Sequence, residues 1–535
     1  MSSTVKAHEL SSSQKSLMFW ASFLALTAAG VGFVFRAMVP SLWGSHFEIT
    51  SAEVGVLFGA GLWPIAVTMI LFSLLVDKIG YKISMFCAVV LQALSVGLTI
   101  NASSYNTLWY ACLCAGFGHG IVEACINPLC ASIYREEKSK WLNILHASWP
   151  AGLMLGGTIY LTLFQGSTAW TDVKTVFWWM IIPVIAYGIM FSMCKNFPED
   201  ERVENNISML DMLKEFGGLG AFLAITFLAY ELSNQIPLLN SIFEGEARLY
   251  KCLGVGLIGG LLFGAIVKDI GKPLFFILCI IMIPLATAEI ATDGWIQALM
   301  KPTMGEYAGW ALVFSASIMM ILRFFAGIPL KFMSPPALLL LSSVFSIIGL
   351  FALSEATGIM IFISFIFYAV GQTFYWPTVL GFVSEQFPKG GAMTLNTVSA
   401  MGLLTVGIFG FPFFGAVQDS INASIIRSEQ PALVKTIIDE KRTYGEENKE
   451  IISEKSLFGV SYTSALTSAV LEQKELDQAS IEHLTKVLAD RTGRETLKVA
   501  AVLPLSMAIA FILIIFYYKS RGGYKPVYLL GKGED

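Results

Sequence analysis

Apolar residues in this 535-residue chain fall into long runs, separated at near-regular intervals by short polar turns. A helix that crosses a bilayer needs about 20 mostly apolar residues. On that measure the pattern predicts spans over 16–40, 53–76, 83–101, 107–134, 141–165, 175–194, 220–242, 251–268, 273–299, 307–329, 336–354, 357–383, 391–417 and 498–518. Two stretches depart from it. Residues 195–219 are polar, then amphipathic from Ile207 to Phe216, then Gly-rich, which marks a linker. Residues 418–497 hold 24 of the 74 charged residues, and the helical periodicity of SIEHLTKVLADRTGRETLKV predicts a small helical cap. The first run is too long for a cleaved signal sequence and reads as a retained helix.

Composition agrees with this pattern. The chain is 55% hydrophobic and only 14% charged, against about 25% charged in soluble domains. It is expected to be an all-α polytopic membrane protein in the bilayer of a cell, plasma or bacterial inner membrane. Net charge −4 says little, because membrane charge matters by side. One alternating set of connections carries Lys78 and Lys82; Arg135, Lys138 and Lys140; Lys195, Arg202 and Lys214; Lys268 and Lys272; Lys331; Lys389; and Lys519 and Arg521. Positive charge stays in the cytoplasm, so both termini are expected there and 418–497 outside. The eight cysteines lie in or beside apolar runs and read as buried thiols. There is no Walker loop, H-E-x-x-H, G-x-S-x-G or Cys/His ligand set. No cofactor, metal, nucleic-acid partner or enzymatic activity is therefore expected.

The chain also repeats itself. GHGIVEACINPLCASIY (118–134) resembles GQTFYWPTVLGFVSEQF (371–387), with Asn127-Pro128 matching Trp376-Pro377, and each is followed by a Leu-Asn pair, 142–143 and 395–396. A duplicated six-helix unit explains this and makes spans seven and eight an insertion. The expected division is an N-terminal half over 1–194, a linker over 195–219, an inserted pair over 220–272, and a C-terminal half over 273–535 that contains the external insertion 418–497.

Between spans two and three, Ser73-Leu74-Leu75-Val76-Asp77-Lys78-Ile79-Gly80-Tyr81-Lys82 is similar to the G-x-L-x-D-R-x-G-R-K signature of the major facilitator superfamily, with Ser in place of the first Gly. The resemblance implies two six-helix halves and a cytoplasmic gate at Asp77, Lys78, Gly80 and Lys82. Within that superfamily, GIVEACINP followed by LNILH resembles the fucose–proton symporter group at Glu123, Asn127, Pro128 and Asn143. That likeness implies a sugar-like solute moved with a proton, or with a sodium ion, across the lipid bilayer. Arg36 stands where that group has an Asp. The inserted pair resembles the fourteen-helix drug–proton antiporters instead.

A charge inside a membrane costs at least about 2.5–3.5 kcal/mol, so it is a functional candidate by default. His119 precedes Glu123 by one turn on the same helix face, and His146 and Trp149 follow in span five. Arg36 has two readings: free to bind an anionic group, or paired with Glu123 around a neutral solute. The second half offers Glu289 and Asp293 four residues apart, and Gln372, Tyr375 and Trp376 in span twelve. Asp293 is expected at an outer helix end, Arg323 as a packing residue near the cytoplasmic helix ends, and Glu231 away from the pathway. The leading expectation is a secondary active transporter of a small polar solute. The alternatives are proton antiport of amphipathic or anionic compounds, and a non-transporting receptor.

Overall fold

Helices begin where short polar residues can cap them. Ser11 accepts from the Gln14 backbone and the Gln14 side chain returns the bond, opening the helix Ser12–Met38. Ser104, Ser208 and Asp477 cap later helices by accepting the backbone N–H three residues on. Gly80, at φ 82°, makes the tight turn between the helices Ser51–Ile79 and Tyr81–Ile100, a conformation open to glycine at no Cβ cost. The computed structural model describes residues 3–529 except Thr50, Thr168, Glu244, Glu246 and 446–448. The side chains of Ser41, Ser51, Ala52, Glu53, Asp77 and Pro237 also lie outside the described residues.

Among the described residues, twelve helical segments are long and apolar enough to cross a membrane. One of them, Pro273–Lys331, doubles back at Gly305 (φ 58°) into two packed helices, Pro273–Met304 and Ala308–Phe324. The broken helix formed by Lys138–His146 and Ser148–Leu163 supplies another crossing, which accounts for the fourteen expected spans. Four spans are irregular near their middles. Span five breaks at Ala147 and span twelve at Phe374, between Met360–Thr373 and Tyr375–Gln386. Spans nine and thirteen each carry a wide π-turn, at Thr287–Ala291 and Val406–Gly410. Within a bilayer such breaks are tolerated where protein or a cavity satisfies the freed backbone, and π-turns gather at functional sites.

The halves meet along two seams that the internal repeat relates. Span two packs on span thirteen, and span five on span ten. Spans seven (Met209–Gln235) and eight (Arg248–Val267) form a hairpin whose close approach needs small residues, since a Cβ on Gly260 would lie 2.8 Å from the Gly218 carbonyl. Span seven packs along spans two, nine and thirteen, beside the first seam.

Both ends of the described chain lie on one face. Ser3–Val5 pairs in parallel with Asn196–Pro198, and the Val527 N–H donates to the Glu385 carbonyl. The opposite face carries residues 430–490. The described residues among them, with the end of the helix Phe411–Glu429, form a compact unit with its own core of Ile421, Ile425, Ile426, Leu433, Val434 and Leu484. A helical cap is expected there, yet a β-hairpin, Ile452–Leu457 with Val460–Ala465, stands in it beside the helix Gln478–Ala500. The helices Pro431–Asp439 and Thr467–Leu471 complete the unit. The strands are Ser/Thr-rich, and their turn uses Phe458 and Gly459 at positive φ.

Candidate functional site: polar clusters between the halves

Span four brings Glu123 and Asn127 onto one face, four residues apart. Asn127 Nδ2 donates to Glu123 Oε2 at 2.7 Å, while Asn127 Oδ1 lies 2.9 Å from His146 Nε2 on span five. His119 Nε2 sits 3.6 Å from Glu123 Oε1, and its ring stacks on Trp149 at 5.5 Å. The result is a buried relay, His119–Glu123–Asn127–His146, in which an amide sets the spacing between a carboxylate and an imidazole. Phe33 packs against the same Trp149 at 5.3 Å.

Arg36 does not join this relay. It makes no ion pair among the described residues and lines a cavity of about 30 Å³ with His119, Trp149, Phe33 and Phe58, room for roughly two waters. Of the two readings of Arg36, pairing with Glu123 is therefore not the arrangement seen. Arg36 lies beside Cys112 of span four, in the small cavity, and His119 and Asn127 occupy the carboxylate instead. Phe33, Phe58 and Leu62 also line a second cavity, of about 900 Å³, bounded by spans one, two, seven, nine and thirteen.

The second half is organised around an ion pair. Arg323 Nη2 meets Glu289 Oε1 at 2.7 Å, Arg323 Nε donates to the Thr373 carbonyl, and Nη1 donates to the His146 carbonyl across the halves. The Trp376 N–H donates to the other Glu289 oxygen at 3.1 Å. Both breaks serve this pair: the π-turn presents Glu289, and the interruption at Phe374 frees the Trp376 N–H. Arg323, in the last turn of its helix, is the cation of the buried cluster and joins spans nine, twelve and five. Asp293 is not at an outer helix end, because the helix continues through Thr292–Met304. It is 6% exposed and accepts from Tyr368 and from Gln372 Nε2, both at 3.1 Å. Tyr375 is fully buried, with its hydroxyl unpartnered among the described residues, and the Trp376 ring packs beside Gly402.

On the face that carries the termini, the halves are tied together. Asn143 donates to Thr378 Oγ1 at 3.1 Å, span five to span twelve. Its repeat counterpart Asn396 donates to the Ala124 carbonyl at 3.1 Å, span thirteen to span four, and to Ser73 Oγ at 3.0 Å. Ser73 in turn reaches the Ala392 carbonyl at 3.3 Å. The serine that departs from the signature glycine is therefore itself a tie. Ser139 bonds Glu385, and Lys138 bridges Glu201 and the Ser384 carbonyl. The remaining signature residues do other work. Lys82 donates to the Ser192 and Cys194 carbonyls at the end of span six, within one half, and Lys78 is exposed. Asp77's side chain is outside the described residues. No group of three or more potential metal ligands occurs among the described residues.

A family model of the Major Facilitator Superfamily matches residues 18–300, and the chain belongs to that superfamily. No curated protein sequence matches it. Among solved structures it is similar to the proton:xylose symporter XylE bound to 6-bromo-6-deoxy-D-glucose (16% identity, TM-score 0.57, 78% of this chain and 91% of that one). It is also similar to the transporter FucP in the outward conformation (14%, 0.53, 76% and 92%). A third is a bacterial homolog of the human lysosomal transporter Spinster, inward-facing and unoccupied (13%, 0.57, 97% and 100%). At these identities the likeness establishes the fold, which is that of membrane transporters.

Proposed function

We propose that the protein is a secondary transporter that carries a small hydroxylated, sugar-like solute together with a proton, by rocking its two halves around a site between them. The observation that carries this reading is the buried relay of Glu123, Asn127 and two histidines, beside a small cavity that shares the walls Phe33, Phe58 and Leu62 with the solute-sized one. A carboxylate held by neutral-capable partners can change charge by one proton without stranding a fixed cation. Arg36, His119 and Trp149 line the small cavity, while Glu289, Gln372, Tyr375 and Trp376 belong to the buried cluster of the second half. The ties at Asn143, Asn396, Ser73 and Ser139 act as the closed gate. Asp77, Lys78, Gly80 and Lys82 shape the turn beside it.

Arginine and lysine favour the cytoplasm for the face that carries the termini, so the larger cavity faces outside. The resemblance of Glu123, Asn127 and Asn143 to the sugar–proton group supports the solute class, as does structural likeness to XylE and to FucP, a fucose:proton symporter in E. coli.

The test is uptake into proteoliposomes under an imposed proton gradient, with a sugar panel. Concentrative uptake that collapses in Glu123→Gln, while counterflow exchange persists, is the expected result. Undiminished accumulation in Glu123→Gln would remove the proton from this carboxylate.

A further inference from the structure

Glu231 lies on the inserted span seven, which the sequence places away from the pathway, yet its side chain lines the 900 Å³ cavity. It is 5% exposed, and it is the one charged residue among the described residues lining that cavity. The carboxylate sits at the seam of the two halves, in space left by two glycines. A Cβ on Gly59 of span two would come within 3.5 Å of Oε1, and one on Gly407 of span thirteen within 3.7 Å of Oε2. The π-turn at Val406–Gly410 places Gly407 there.

Hydrogen bonding at this spot is one-sided. Gln235 Nε2 donates to Glu231 Oε1 at 3.1 Å, which fixes the amide's orientation because only its NH₂ can face a carboxylate. Gln235 Oε1 is then a buried acceptor with no partner, and Glu231 Oε2 accepts from no side chain among the described residues. Asn234 Oδ1 is already taken by Arg248, whose other branch goes to Asn240. What remains beside the carboxylate is two unpartnered acceptors, Glu231 Oε2 and Gln235 Oε1, while Trp295 Nε1–H is an unpartnered donor on the cavity wall. Trp295, Phe411, Phe58 and Phe33 line the same cavity. A group with several N–H donors and a positive charge satisfies both acceptors and the carboxylate, and aromatic faces attract it further.

We propose that Glu231 and Gln235 of the inserted helix form a recognition site for the ammonium group of an amine-bearing solute in the cavity between the halves. The proposal deepens the reading of that cavity as the solute route and rests on it. The inserted pair then contributes to selectivity.

The test is binding to the purified full-length protein in nanodiscs, with glucamine and sorbitol as probes. They share a polyol body and differ by an ammonium in place of a hydroxyl. Glucamine should bind at least tenfold tighter than sorbitol, Glu231→Gln should remove that preference, and Trp295→Leu should weaken glucamine severalfold while sorbitol changes little. Gln235→Leu, which keeps the charge and deletes the orphan acceptor, should cut the preference at least threefold and serves if Glu231→Gln does not fold. Equal binding of the two probes, or a preference that survives these substitutions, overturns the proposal. So does loss of proton-driven sugar uptake in Glu231→Gln without any ammonium preference, which would make the carboxylate a proton site. Binding is read without a proton gradient, so failure of proton coupling at Glu123 leaves this result standing, and the converse holds.

Discussion

Each half buries a carboxylate near the middle of a span, and the two are answered in different ways. Glu289 is held by the fixed guanidinium of Arg323 at 2.7 Å and by a backbone N–H. Glu123 is held by an amide at 2.7 Å, with an imidazole 3.6 Å away. A guanidinium stays charged at any working pH, so the Glu289 pair is a permanent structural joint. The first-half cluster holds no fixed cation against Glu123, only an amide and an imidazole that can each be neutral. One half thus holds its carboxylate with a fixed charge, and the other with groups that can be neutral.

The strongest way to break this comparison is Arg323→Gln. It strands Glu289 and also releases the Thr373 and His146 carbonyls. We expect a loss of about 3–5 kcal/mol of stability, visible as a large fall in melting temperature and partly restored by adding Glu289→Gln. A fall equivalent to under about 1 kcal/mol would show that the pair is no joint.

Asn127→Leu comes next. It removes the donor to Glu123 and the partner of His146 together, at about 1–3 kcal/mol, and chemical denaturation in detergent measures it. A neutral outcome would mean that the relay is not held by this amide.

Glu123→Gln should cost less than about 1 kcal/mol, because the amide keeps the shape and a hydrogen bond remains available. Accumulation, measured as the steady-state solute gradient, should nevertheless collapse. A stability loss as large as that of Arg323→Gln would erase the distinction between the halves.

The smallest effect is a coupling. Arg36→Gln and Glu123→Gln, combined in a double-mutant cycle on stability, should add within about 0.5 kcal/mol, since the two residues do not pair. A coupling of about 1 kcal/mol or more would restore the ion pair that the geometry disfavours.

Span positions were readable because a bilayer demands long apolar runs, and the runs carry that information without tertiary context. Glu123, Asn127 and Asn143 stood out through a motif, and the Leu-Asn repeat through internal similarity. The repeat reaches further than similarity alone implied, because Asn143 and Asn396 bridge the halves in related directions. The Arg323–Glu289 pair was not readable, since its partners lie 34 positions apart on different spans with no shared pattern. The π-turns were equally hidden, because an extra residue in a helical turn leaves no mark in an apolar run. Asp293 was misplaced for that reason, as Thr-Asp-Gly imitates a helix end. Glu231 was set aside because nothing in the chain says which seam an inserted hairpin packs beside.

The helix Gln478–Ala500 runs on, past one turn residue, into the last span, Val502–Lys519. Its outer part is fastened to the second half, by the Lys498–Glu355 ion pair and by Gly493 against the Leu299 carbonyl. At 1.5 Å per residue, the 42 residues make a rod of roughly 63 Å. Such a rod behaves as a pointer on a dial: a small tilt of the half at its base becomes a displacement of several ångströms at the tip. A probe fixed on the unit at its far end would therefore report the angle of the second half directly, and an antibody fragment clamped there would load the working stroke without touching the site.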